Sequence, residues 1–128
     1  MRVKNFTINV GTQVFRACSD EARIRILYLI LQNGEMCISD LEQVLGFTQS
    51  KTSRHISYLK NSGLLNIRKS DQWVWYSVKE EMKDIIGLIY KFLEKDNILK
   101  NDLNTLQTLF SNRELALNKL SAEEWRKI

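Results

Sequence analysis

The sequence has no proline and only five glycines in 128 residues. That scarcity argues against a fold of many strands and hairpins, whose turns would need more of both residues. It favours helices. Two cysteines, Cys18 and Cys37, are too few for a disulfide framework. The N-terminal stretch Met1–Phe15 lacks the apolar run and small-residue cleavage site of a secretion signal. The longest dense apolar run, Ile26–Leu31, is far too short to cross a bilayer. These absences lead to the expectation of a reduced, cytoplasmic protein with no membrane partner. A single histidine, His55, and no Gly-rich phosphate loop, metal-ligand cluster or Ser/His/Asp arrangement leave nothing that reads as an enzyme.

What is present reads as a folded chain. Hydrophobic residues make up 44% and charged residues 27%, an ordinary balance for a globular domain. Helical spacing over Phe6–Ala17 places Phe6, Val10, Val14 and Phe15 on one side. Ser19 is positioned to cap a second helix over 20–32, which Gly34 ends. Ser39-Asp40-Leu41-Glu42 has the capping-box pattern and opens a short helix stopped by Gly46. Thr48 caps the next helix, Gln49–Ser62, and Gly63 ends it. Two short helices about a tight Gly46–Thr48 turn form a helix-turn-helix. Leu64–Lys69, a Ser70–Gln72 turn and Trp73–Val78 then read as a β-hairpin, or wing. Trp73 and Trp75 alternate onto one face of it, where they pack the wing against the body. Lys79–Lys95 carries a broad apolar stripe, Asp96–Asn101 is a polar break, and 102–120 is again helical. Ser121–Glu124 repeats the capping-box pattern, and Trp125 fastens the tail or is loosely held.

The expected fold class is mainly α with a small two-stranded β-wing. Residues 1–95 form the winged helix-turn-helix unit for DNA binding and dimerisation. Residues 96–128 form a C-terminal helical extension, packed on the dimer or partly mobile.

Charge locates the function. From Gln43 to Ser70 there is no acid, while Lys51, Arg54, Lys60, Arg68 and Lys69 supply five cations, against a net +4 for the whole chain. The basic surface therefore maps onto the helix-turn-helix and wing, as phosphate contact requires. On the helix 49–62, Thr52, Ile56 and Leu59 share the core-facing side. The opposite side shows Ser50, Ser53, Arg54 and Ser57, flanked by Lys51 and Tyr58, with Gln49 at the start. Small hydroxyl residues let a helix approach base edges closely, and Arg54 can pair bidentately with guanine. His55 falls on the edge of the apolar stripe and reads as a hydrogen-bonded boundary residue. The expected DNA-contacting set is Gln49, Ser50, Lys51, Ser53, Arg54, Ser57, Tyr58, Lys60, Arg68 and Lys69.

Phe15-Arg16-Ala17-Cys18-Ser19-Asp20-Glu21-Ala22-Arg23-Ile24-Arg25-Ile26-Leu27 resembles the opening signature of the ArsR/SmtB family of bacterial repressors. Leu41–Gly46, Gln49–Ile56 and Leu59–Leu65 resemble its helix-turn-helix, and Trp73–Ser77 its wing. The resemblance runs over roughly residues 10–95. It implies a homodimer that binds a palindromic operator in double-stranded DNA and is released by an inducer. It also implies a dimer interface made by the first helix and the helix after the wing. The alternative is a winged-helix protein-interaction module that docks an acidic partner without specific duplex binding.

Metal-sensing relatives carry Cys-x-Cys within Glu-Leu-Cys-x-Cys-Asp-Leu. Here the segment is Glu35-Met36-Cys37-Ile38-Ser39-Asp40-Leu41, with serine in place of the second thiolate. Serine is a poor ligand for soft metals. Residues 79–95 contain no histidine for the family's other site. No metal site and no cofactor are expected. Cys37 is left as a weak thiol-sensing candidate, against the plain reading of both cysteines as small buried apolar residues.

Overall fold

The computed structural model describes residues 5–118. Along them run α1 (Ile8–Ala17), α2 (Glu21–Asn33), α3 (Ile38–Leu45), α4 (Gln49–Asn61), β1 (Leu65–Ser70) and β2 (Trp73–Val78). A 3-10 turn at Glu80–Met82 leads into α5 (Lys83–Phe92), and α6 (Asn97–Ser111) follows. Leu120, the Ser121–Glu124 pattern and Trp125 lie outside the described residues.

Local chemistry explains most boundaries. Thr7 caps α1 by accepting from the Val10 N–H at 3.3 Å. The cap of α2 is Asp20, whose carboxylate accepts from the Arg23 N–H at 3.2 Å. Ser19, the expected cap, instead donates its hydroxyl to the Arg16 carbonyl at 2.7 Å. A carboxylate suits the positive end of a helix better than a hydroxyl, and Ser19 is taken up in closing α1. Arg23 completes that closure, donating to the Ala17 and Arg16 carbonyls at 2.9 and 3.0 Å. Carbonyls in the last turn of a helix have no i+4 donor, and the Arg16 carbonyl also accepts from the Ser19 N–H at 3.2 Å. Gly46 (φ 70°) and Gly63 (φ 81°) end α3 and α4 in the left-handed region, where a side chain would be strained.

The expected capping box at Ser39 does not form. The helix begins at Ile38 after Cys37, without a side-chain cap, and the Ser39 hydroxyl lies 3.3 Å from the Cys37 sulfur. The start is fixed from outside. Met36 exchanges both backbone bonds with Tyr76, at 2.9 and 2.8 Å, so the chain leaves the sheet at Met36 and turns at once. The polar stretch at 96–101 is not a break either. Asp96 caps α6 by accepting from the Leu99 N–H at 3.1 Å, and the interruption falls at Leu93–Asp96. Phe15 is 73% exposed and leaves the buried side of α1 to Val14 and Ala17, with Phe6 and Val10 partly packed.

The wing is an antiparallel pair in register from Leu65 opposite Val78 to Ser70 opposite Trp73. Asp71 takes a left-handed φ of 54° in the two-residue connection. The core centres on α2, whose Ile26, Leu27, Leu29 and Ile30 are fully buried against α4, α6 and β2. Each such side chain contributes about 1.5–3 kcal/mol. Tyr90 joins α5 to α2 through a 2.6 Å hydrogen bond from its hydroxyl to the Ile24 carbonyl.

Two acidic residues tie the C-terminal part to this body. Asp102 on α6 forms a two-armed pair with Arg25 on α2, both arms at 2.9 Å. Asp40 on α3 is 1% exposed and accepts from the backbone N–H groups of Ala116 and Leu117 at 2.7 and 3.0 Å. Such charge-assisted bonds are roughly twice as strong as neutral ones.

Candidate nucleic-acid interface

The helix α4 sorts its residues by face. Thr52, His55, Ile56 and Leu59 are buried. Gln49, Ser50, Lys51, Arg54, Ser57, Tyr58 and Lys60 are exposed, and Ser53 is half-buried. The helix is anchored at its start by Thr48, which caps Lys51 at 3.2 Å, while Thr52 donates its hydroxyl back to the Thr48 carbonyl at 2.9 Å. The polar face is thus held rigidly by its apolar back. It presents Arg54 beside Ser50, Ser57 and the half-buried Ser53, with Lys51 and Lys60 also exposed.

Several of these side chains have partners that the sequence did not suggest. The Lys51 ammonium lies 4.0 Å from the centroid of the Phe47 ring. The Arg23 guanidinium lies 4.0 Å from the Tyr58 ring, placing a further cation beside the helix. His55 lies beneath the surface and its side chain makes no hydrogen bond among the described residues, contrary to expectation. Burial pushes its pKa down, and Arg54, Arg23 and Lys51 push the same way against Asp20. The ring is therefore neutral at pH 7 and adds no charge to the face.

On the wing, Arg68 is a two-armed partner of Glu35, with one arm at 3.1 Å. Its charge is offset, so it weighs less in the basic footprint than its position suggested. Lys69 is exposed and forms no ion pair among the described residues. Trp73 and Trp75 do share a face, with ring centroids 6.4 Å apart. Trp75 is wholly buried and packs with Cys37 and Ala116.

The two thiols sit apart. Cys18 lines a cleft of about 380 Å³ with Ile24, Arg25 and Leu93. Cys37 lines another of about 320 Å³ with Glu42, Gln49 and Trp73. Burial pushes both thiols up, offset in part by Arg23 at Cys18 and by the Ser39 hydroxyl at Cys37. Each is a neutral thiol at pH 7, the less reactive form. Among the described residues no group of three or more His, Cys, Asp and Glu is placed to hold a metal ion. No helix among them is long and apolar enough to cross a membrane.

Comparison with known proteins agrees with this geometry. Residues 20–66 match the model of the bacterial regulatory protein, arsR family. The arsenic resistance transcriptional regulator ArsR1 of Pseudomonas putida is 35% identical over 78 residues, 61% of this chain and 61% of that protein. The arsenical resistance operon repressor of Bacillus subtilis is 32% identical over 77 residues, 60% of this chain and 71% of that protein. The chain spans only 55–61% of the length of the arsenic-resistance relatives from Pseudomonas putida and Escherichia coli. Among solved structures, HlyU from Vibrio cholerae superposes with a TM-score of 0.60 at 31% identity, over 65% of this chain and 90% of that one.

Proposed function

Since the chain belongs to the ArsR family of bacterial regulatory proteins, we propose that it is a homodimeric transcription regulator that reads double-stranded DNA through α4. In this reading it is a repressor, bound to a palindromic operator and released by an inducer. The observation that carries the reading is the exposed face of α4. It combines Arg54 with Ser50, Ser53 and Ser57, without an acid, on a helix whose back is locked into the core. Gln49, Lys51, Tyr58 and Lys60 flank the bases, and Lys69, with Arg68 behind it, brings the wing to the phosphates. Residues 1–95 are the DNA-binding and dimerising unit in this reading, and 96–128 the extension.

The test is a gel shift on the chain's own upstream region against an unrelated duplex of equal length. Lys51→Ala should weaken binding to both and flatten the salt slope by about one unit per subunit. An unchanged slope would remove Lys51 from the phosphate-contacting set.

Dimerisation has its own support. Ile8 (86% exposed) and Phe15 on α1, and Phe92 (88%) on α5, leave large apolar side chains in water. Exposed apolar surface of this kind marks an interaction site, and these are the two helices expected to meet a second copy. Phe92→Asp should shift the mass in solution from twice the 15.0 kDa chain to the single chain, read by sedimentation equilibrium. A variant that stays dimeric would move the interface elsewhere.

The pairing of Arg68 with Glu35 leaves less charge on the wing for phosphates and for an acidic protein partner alike, so it does not favour the second reading, a protein-docking module. Sequence-selective duplex binding discriminates between the two.

A further inference from the structure

One aromatic ring stands between the recognition helix and the C-terminal extension. Phe47, in the turn between α3 and α4, has the Lys51 ammonium 4.0 Å from its centroid. The Arg25 guanidinium lies 5.2 Å from the same centroid. Arg25 is itself fixed by both oxygens of Asp102, at 2.9 Å each, and Asp102 is 5% exposed. These groups belong to α6, α2, the turn and α4. Arg25, Phe47 and Lys51 line one cleft between the N-terminal end of α2 and the start of α4.

We propose that Asp102, Arg25 and Phe47 form a positioning chain through which α6 sets the Lys51 ammonium for phosphate contact. The inference rests on the reading of α4 as the DNA-contacting helix. A lysine side chain is flexible and loses much rotamer freedom when it settles on a phosphate. An ammonium already held on a ring loses less, and preorganisation of this kind raises affinity without adding a contact. The ring can act this way only if it is itself held. Arg25 offers it a planar cation, and Asp102 fixes the plane of that cation through the two-armed bond. Phe47 is thus a positioning residue, and α6 a support for the DNA-reading helix.

The sign of one substitution separates positioning from plain electrostatics. Asp102→Asn removes a negative charge near the start of α4. If charge alone mattered, DNA would bind more tightly. Loss of positioning predicts weaker binding.

The experiment uses the full chain and two probes, a duplex from the chain's own upstream region and an unrelated duplex at low salt. Each variant's thermal midpoint is measured first, and binding is read well below it. Phe47→Leu keeps the apolar bulk, leaves net charge unchanged and removes the ring face. It should weaken binding to both duplexes by about two- to fivefold, the worth of one cation–ring contact. It should cause no further loss in a Lys51→Ala background. Asp102→Asn should also weaken binding. A readout without DNA accompanies these. Acetic anhydride acetylates exposed lysines, and peptide mass mapping gives the rate at Lys51 relative to Lys60. That ratio should rise at least twofold in both variants.

A Phe47→Leu affinity equal to that of the unsubstituted protein would overturn the proposal. So would tighter binding by Asp102→Asn, or an unchanged acetylation ratio in it. If the unsubstituted protein binds neither duplex, the DNA-reading assignment fails, and the acetylation ratio still decides whether Asp102 and Phe47 hold Lys51.

Discussion

Trp75→Ala should lower the free energy of unfolding by about 3–5 kcal/mol, the range for truncating a large buried aromatic. Urea unfolding measures it, and an unchanged midpoint would contradict the burial of Trp75. The magnitude follows from place as well as size. Trp75 is 0% exposed. It lies on β2 opposite Arg68 and packs with Cys37 at the start of α3 and Ala116 near the end of the described chain. Removing it opens a cavity where these three segments meet. Its indole N–H is buried with no hydrogen-bond partner among the described residues. An orphaned donor costs stability, so Trp75→Phe, which removes that donor while keeping most of the ring, should lose much less than Trp75→Ala.

Arg54→Ala should act on selectivity more than on folding. Arg54 is exposed, so the thermal midpoint should move little. Under the proposed function the loss is about 1–3 kcal/mol of discrimination at one base pair in each half-site, the worth of a two-armed pair to guanine. Competition among duplexes that differ by single base pairs reads this directly. The preference at one position should flatten while the others persist. Lys51→Ala should give the opposite pattern, a uniform loss across sequences. If Arg54→Ala also weakened every duplex equally, Arg54 would be reassigned to the phosphates and the base-reading role would pass to its neighbours on the same face.

The parts of this fold that were legible in the sequence are those decided within one turn of chain. Thr48 caps α4, Gly34, Gly46 and Gly63 end three helices, and the apolar back of α4 follows from residue spacing. Where two local signals stood side by side, the sequence could not rank them. Ser19 and Asp20 both suit a cap, and the choice fell to the charged group. Ser39 had a complete capping pattern, yet the Met36–Tyr76 bridge set the helix start two residues before Asp40, beyond the reach of any local rule. The candidate site divides in the same way. The exposed set on α4 follows from periodicity. The partners of Arg25, Arg68 and Asp40 do not, because they lie 77, 33 and 76 residues away. Phe15 shows a different gap. Apolar spacing marks a face to be covered and is silent on whether the cover is the chain's own core or a second copy.

The bond between Asp40 and the amides of Ala116 and Leu117 has a consequence for how the chain comes into being. During synthesis α3 and α4 are available long before residue 117 emerges. Until then Asp40 lacks the two amide donors that tie α3 to residues 116 and 117. That tie between α3 and the C-terminal part therefore waits on residues 116 and 117. A nascent chain carries the sequence of a helix-turn-helix well before it has all the contacts of the finished one.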